Sequence, residues 1–79
     1  MKPVFVMIKC RLGSAYEVAD DIMARVEQTS ELYSISGRFD LMAKFYIEAD
    51  DDIGHFVNDV VQRIDGIVDT FTIVTFKAF

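Results

Sequence analysis

One histidine, one cysteine, three consecutive aspartates, a Gly-x-x-Asp turn and two threonines in alternate positions are where this 79-residue chain could do chemistry. His55 follows Asp51 by four residues, so on a helix the two share a face. An exposed pair worth roughly a few tenths of a kcal/mol explains it better than an acid–base role. Asp50, Asp51 and Asp52 lack the later glutamate and the spacing of a calcium loop. At the start of a helix they meet the positive end of its dipole instead. Cys10 stands between Lys9 and Arg11, cations that would depress a thiol pKa if they converged on it. Consecutive strand residues point to opposite faces, which favours an inert thiol.

The turn Gly37-Arg38-Phe39-Asp40 carries more information. Glycine tolerates positive φ and lets a ligand approach the backbone, and Asp40 can accept a bond from an ammonium group. An ordinary hairpin turn explains the same residues equally well. Thr70 and Thr72 project from one face of a strand, where threonine is also simply a good strand former. No paired constellation for general acid–base work, no Gly-rich phosphate loop and no metal-ligand spacing accompanies these positions.

The composition narrows the functions further. Thirteen acidic residues against eight basic ones leave a net charge of −5 without a basic cluster, which disfavours direct binding to phosphate backbones. The single cysteine, the lack of a signal pattern and the lack of an apolar run near 18 residues predict a reduced, cytoplasmic setting without a membrane span. A chain this short predicts one domain, residues 1–79. Small domains bury only about 60% of their unfolded surface. The 52% hydrophobic and 13% aromatic content is rich for so little interior, so part of it is expected to face another copy of the chain.

These side chains need elements to hold them. A β-branched and aromatic run over 4–10 reads as a first strand, ending before Gly13. Ser14 and Glu17 form a candidate capping box. Ala15, Val18, Ala19, Ile22 and Val26 then mark one helical stripe that ends near Glu27. Strands over 32–36 and 41–47, linked by residues 37–40, read as an antiparallel hairpin. The aspartates open a second helix with the stripe Ile53, Phe56, Val57, Val60, Val61 and Ile64, stopped by Asp65-Gly66. A last strand runs from Ile67 towards Phe76. The order βαββαβ predicts an α+β, ferredoxin-like sandwich with both helices on one face of a four-stranded antiparallel sheet.

In a monomer the other face would be polar. Here Phe5 and Met7 oppose Val4, Val6 and Ile8, while Met42 and Tyr46 oppose Leu41, Ala43, Phe45 and Ile47. A sheet apolar on both sides predicts a second sheet from a symmetric partner, as in a dimeric α/β barrel.

Read together, these segments resemble the amino-acid-responsive (RAM) domain of the Lrp/AsnC transcription regulators. The resemblance spans nearly the whole chain. It rests on Val4-Phe5-Val6-Met7-Ile8-Lys9, on Ile35-Ser36-Gly37-Arg38-Phe39-Asp40-Leu41, on Ile64-Asp65-Gly66-Ile67 and on Asp69-Thr70-Phe71-Thr72-Ile73-Val74. The chain departs from common members at Asp69 and Phe71. Family members typically add an N-terminal helix-turn-helix, so the resemblance implies a stand-alone member without its own DNA-binding element. It further implies sheet-to-sheet homodimers that assemble into octameric or decameric rings, an amino-acid effector, no cofactor, and co-assembly with a full-length regulator as a further partnership. The effector would sit at Gly37, Arg38, Phe39 and Asp40, with Thr70 and Thr72 lining the site. The expected function is a non-enzymatic, amino-acid-sensing regulatory module. Its alternatives are a small cofactor-free enzyme of the dimeric α/β barrel type, for which an inward-facing His55 beside a carboxylate would be needed, and a purely structural oligomerisation module.

Overall fold

The first strand organises the molecule because it lies between two others. In the computed structural model, which describes residues 1–79, β1 (Lys2–Cys10) is followed by α1 (Ala15–Arg25), β2 (Thr29–Ser34), β3 (Leu41–Ile47), α2 (Ile53–Asp59) and β4 (Ile67–Ile73). A single 3-10 turn over Val61–Arg63 links α2 to β4. The sheet order is β2-β3-β1-β4, and every pairing is antiparallel. This is the expected ferredoxin-like α+β fold. No helix is long and apolar enough to cross a membrane.

Alternation along the strands divides the sheet into two faces. Val4, Val6, Ile8 and Cys10 of β1 and Leu41, Ala43, Phe45 and Ile47 of β3 are buried beneath the helices. Val18 and Ile22 of α1, with Phe56 and Val57 of α2, complete that layer together with Val26, Val61 and Ile64. The rings of Phe45 and Phe56 meet edge to face, centroids 5.1 Å apart, a geometry that aligns the positive edge of one ring with the negative face of the other.

Several boundaries differ from the sequence pattern. Helix α1 ends at Arg25, because Val26 turns to an extended backbone and enters the core. The Ser14–Glu17 capping box does not form. Ser14 has φ −108° and ψ 3°, without a side-chain cap bond, and lacks the extended geometry that aims a capping oxygen at the first turn. Strand β2 starts at Thr29 rather than Leu32 and ends at Ser34 rather than Ser36, with an irregularity between Thr29 and Glu31. Helix α2 is one long element in the pattern but gives way near Val60 to the 3-10 turn. Two successive β-branched residues, Val60 and Val61, favour such a break.

Strand β4 stops at Ile73 rather than continuing to Phe76, and β1 supplies the reason. The Ile8 carbonyl accepts from the Asp40 N–H on the β3 side, whereas the Arg11 N–H donates to Gly66 on the β4 side. Odd-numbered residues of β1 therefore bond towards β4. Extending the register Phe5↔Ile73 would set Pro3 opposite Thr75, and proline has no N–H to donate.

Of the aspartate run, Asp52 alone has the helix-opening role expected of it, and Asp51 closes the turn before the helix. The Asp52 carboxylate accepts from the His55 backbone N–H at 2.9 Å, and the Asp51 carboxylate accepts from the Glu48 N–H at 3.3 Å. The bond from His55 holds the Asp52 carboxyl below the usual aspartate range. A folded pKa below the unfolded one adds stability that is complete above about pH 4 and is lost as pH falls through the folded value. Asp52→Ala should therefore lower the melting temperature at neutral pH, and its gap from the parent protein should narrow in melting curves taken below about pH 4. Gly66 makes a second test. It has φ +95°, and a Cβ there would lie 2.8 Å from Val18 Cγ2. Gly66→Ala should cost more than about 1 kcal/mol in urea denaturation.

Candidate functional site

Where β1 ends, its last donors still need acceptors. The Cys10 N–H donates to Asp40 Oδ2 at 2.7 Å, so a side-chain carboxylate replaces a strand carbonyl one residue before β3 begins. The Asp40 N–H donates to Ile8, and its carbonyl accepts from Ile35 at 2.9 Å. Asp40 thus closes the β2–β3 loop and fastens it to β1. That loop covers residues 35–40 rather than 37–40, because β2 ends early. Gly37 holds φ +112° with open space around its Cα, so the backbone there stays accessible.

A cavity of about 450 Å³ opens beside this clasp, between the end of β1 and the start of α1. Asp40, Lys9 and Arg11 supply its charged groups, and Leu12, Ala15, Tyr16 and Val68 supply its apolar wall. Lys9 Nζ donates to the Arg38 carbonyl at 3.4 Å, and Arg11 pairs with Asp65 at 3.1 Å. The Arg11–Asp65 pair is exposed on both sides, so it contributes little to stability, and a guanidinium with five donors retains capacity for another anion. Cys10 also lines the cavity. Its burial, and then the Asp40 charge, push the thiol pKa up more strongly than Lys9 pulls it down, which keeps the sulfur protonated and poorly nucleophilic.

The remaining candidates lie elsewhere. Phe39 stacks on Phe71, centroids 6.2 Å apart, on the sheet face away from the helices. Thr70 and Thr72 face the helix layer, opposite Ile8 and Val6. Thr70 Oγ1 accepts from Gln62 at 2.8 Å in a separate recess of about 240 Å³. One copy of the chain therefore brings Asp40 to one cavity and Thr70 to another, and Val68 lines both. His55 points outward, 80% exposed, with Nδ1 3.5 Å from Asp59. Its helical partner is the residue four positions after it rather than Asp51, which is occupied by the turn before α2.

Sequence reasoning missed Lys9, Arg11, Leu12, Tyr16 and Val68 as lining residues. The signal for two of them was present, since Leu12 and Tyr16 are large apolar residues outside the buried stripe of α1. They are 98% and 75% exposed.

The face away from the helices is apolar, as the alternation predicted. Phe5, Met7, Met42 and Tyr46 are half-buried, while Tyr33, Phe71 and Ile73 are exposed. Lys44 lies among them, its Nζ 5.7 Å from the Phe5 ring centroid and 5.0 Å from that of Tyr46. Glu31 stands 3.6 Å from the same ammonium. The neighbouring Tyr46, and then Glu31, hold the Lys44 pKa above the ordinary lysine value, so this apolar face carries a Lys44–Glu31 ion pair.

Known proteins place the whole arrangement. No curated relative matches the chain. Among solved structures, FFRP-DM1 is 22% identical, with a TM-score of 0.86 over 96% of this chain and 100% of that one. TTHA0845 from Thermus thermophilus is 28% identical, with a TM-score of 0.80 over 100% and 98% of the two chains. A transcriptional regulator of Neisseria meningitidis, NMB0573, solved as an L-Met complex, is 17% identical with a TM-score of 0.80, and this chain covers 50% of it. These likenesses show the fold. The model of the Lrp/AsnC ligand binding domain matches residues 3–79, and the chain therefore belongs to the Lrp/AsnC ligand-binding domain family.

Proposed function

We propose that this regulatory, effector-binding domain senses a free amino acid at the Asp40 end of its sheet and answers with a change in self-assembly or partner choice. The observation that carries the reading is the cavity that sets one carboxylate and two cations around an apolar wall. An amino acid taken from water must replace the hydration of both an ammonium and a carboxylate. Asp40 offers the free oxygen of its carboxylate to the first, and Lys9 and Arg11 offer donors to the second. Gly37, Arg38 and Phe39 extend the site along the open backbone of the turn. Thr70 stands in the separate recess beyond Val68, and Thr72 lies two residues further along the same strand face, so in a single copy neither reaches this cavity. The N. meningitidis regulator of the same fold, solved with L-Met, supports an amino acid as the ligand class. No covalent step is needed, and the exposed His55 is not placed for one.

Self-assembly is the second part of the proposal. A face presenting Phe5, Met7, Met42, Tyr46, Phe71 and Ile73 loses apolar surface to water only when covered, at about 25 cal/mol for each Å². A second copy applied sheet to sheet would cover it in the same way on both sides, as a two-fold interface requires. Higher rings, and mixed assemblies with a DNA-binding relative, would follow from further contacts between such dimers. With a net charge of −5, contact with DNA would fall to that relative.

Two measurements test these parts separately. An amino acid at about 100 times its dissociation constant adds about 2.7 kcal/mol to a protein that binds it only when folded. Asp40→Asn keeps an acceptor for the Cys10 N–H but removes the charge, so circular dichroism should show the native fold while the amino-acid-induced rise in melting temperature disappears. An unchanged rise would remove Asp40 from the site. Met7→Glu places a charge at the centre of the outer face, and light scattering should report a folded monomer where the parent chain gives a dimer or larger. A Met7→Glu protein of parental mass would show that this face is not the interface.

A further inference from the structure

The sheet face turned away from the helices is built in rows. Tyr33, Met42, Met7 and Phe71 stand side by side across the four strands, and Glu31, Lys44, Phe5 and Ile73 form the next row. Glu31 and Lys44 are the only charged residues of the two rows, and they lie directly opposite each other on β2 and β3. Tyr33 Oη donates to Glu31 Oε1 at 2.6 Å, and Glu31 Oε2 lies 3.6 Å from Lys44 Nζ. The same ammonium stands over the rings of Phe5 and Tyr46, whose negative faces attract a cation. The charges of the two rows therefore sum to zero in a chain that carries −5. Two copies repel each other less across this face than across the acidic remainder of the surface.

The pair also lines a recess of about 100 Å³, together with Phe5, Tyr33 and Met42. Phe71 and Ile73 project, exposed, from the β4 side of the same face. A recess and projecting apolar side chains on one surface are the two halves of a fit, which is what a two-fold interface between identical copies requires. We infer that the Tyr33–Glu31–Lys44 network is a matched charge set covered by a second copy, and that it restricts this face to a partner bringing no unpaired charge against it. This inference rests on the sheet-to-sheet reading above and adds to it a determinant of partner choice. In a single copy the Lys44 and Glu31 side chains are 25% and 44% exposed, so water can solvate either charge if the other is lost. A covering copy removes that water. One charge left alone beneath an apolar partner is strongly unfavourable, whereas a pair replaced by two neutral side chains is close to even. An ion pair that stays exposed contributes little in either case.

Sedimentation velocity of the full chain on dilution gives the dissociation constant for self-association and provides the test. Glu31→Gln keeps an acceptor for Tyr33 but strands the Lys44 charge, and Lys44→Met strands the Glu31 charge. Each should weaken self-association at least about tenfold with an unchanged circular dichroism spectrum, and either serves if the other fails to fold. Glu31→Gln and Lys44→Met in one chain remove both charges together, and should return the constant to within about threefold of the parental value. Ile73→Lys and Ile73→Glu should both weaken association, since a matched pair can neutralise neither sign. Parental affinity in the single variants, no recovery in the double variant, or tighter association of either Ile73 variant would overturn the inference. If Met7→Glu is monomeric while the single variants associate like the parent, the matched set falls and the sheet-to-sheet reading stands. A Met7→Glu protein of parental mass would remove both.

Discussion

The clasp at the end of β1 is the constraint on which the rest of the molecule depends. β1 is paired on both sides, so its backbone must find partners to left and right until it leaves the sheet. At its C-terminal end neither neighbour continues in register. The Asp40 carboxylate takes the Cys10 N–H, and Gly66 takes the Arg11 N–H. Leaving such a donor unsatisfied in a partly buried site would cost about 1–3 kcal/mol. Meeting that demand brings the β2–β3 loop, the turn after α2 and the start of α1 to one corner. The cavity lies at that corner, lined by the end of β1, the start of α1, Asp40 and Val68 of β4.

Asp40 consequently carries two tasks on one side chain. One oxygen holds the loop to the central strand, and the residue also lines the cavity. A site built this way is positioned by the sheet itself, and a ligand engaging the free oxygen would pull directly on the link between β1 and β3. The same strand carries Met7 and Phe5 on the opposite face, so the corner and the outer sheet face share one rigid element. If the corner is occupied and the outer face is paired as proposed, that continuity would give a physical route from one to the other.

Most of the element order was legible in the sequence. Alternation in β1 and β3 and the three-and-four spacing in α1 are local patterns, and the structure keeps them. The doubly apolar sheet was legible for the same reason, since a strand assigns successive residues to opposite faces whatever its neighbours are. The boundaries that moved are those governed by partners distant in sequence. β4 ends where Pro3 lacks a donor, and β2 begins where β3 offers pairing. His55 exchanges Asp51 for Asp59 because Asp51 already closes the preceding turn.

The sequence by itself determined the βαββαβ order, the two apolar faces and the glycine-permitted turns at Gly37 and Gly66, because each is dictated within a few residues. Only the tertiary structure decided that Asp40 would bond to Cys10, thirty positions earlier, that Val68 would be expelled from the ladder, and that Lys9, Arg11, Leu12 and Tyr16 would share a cavity with them. Those outcomes depend on the register between strands that are remote in the chain. Register is set by the summed packing of the whole core, so no single segment contains it.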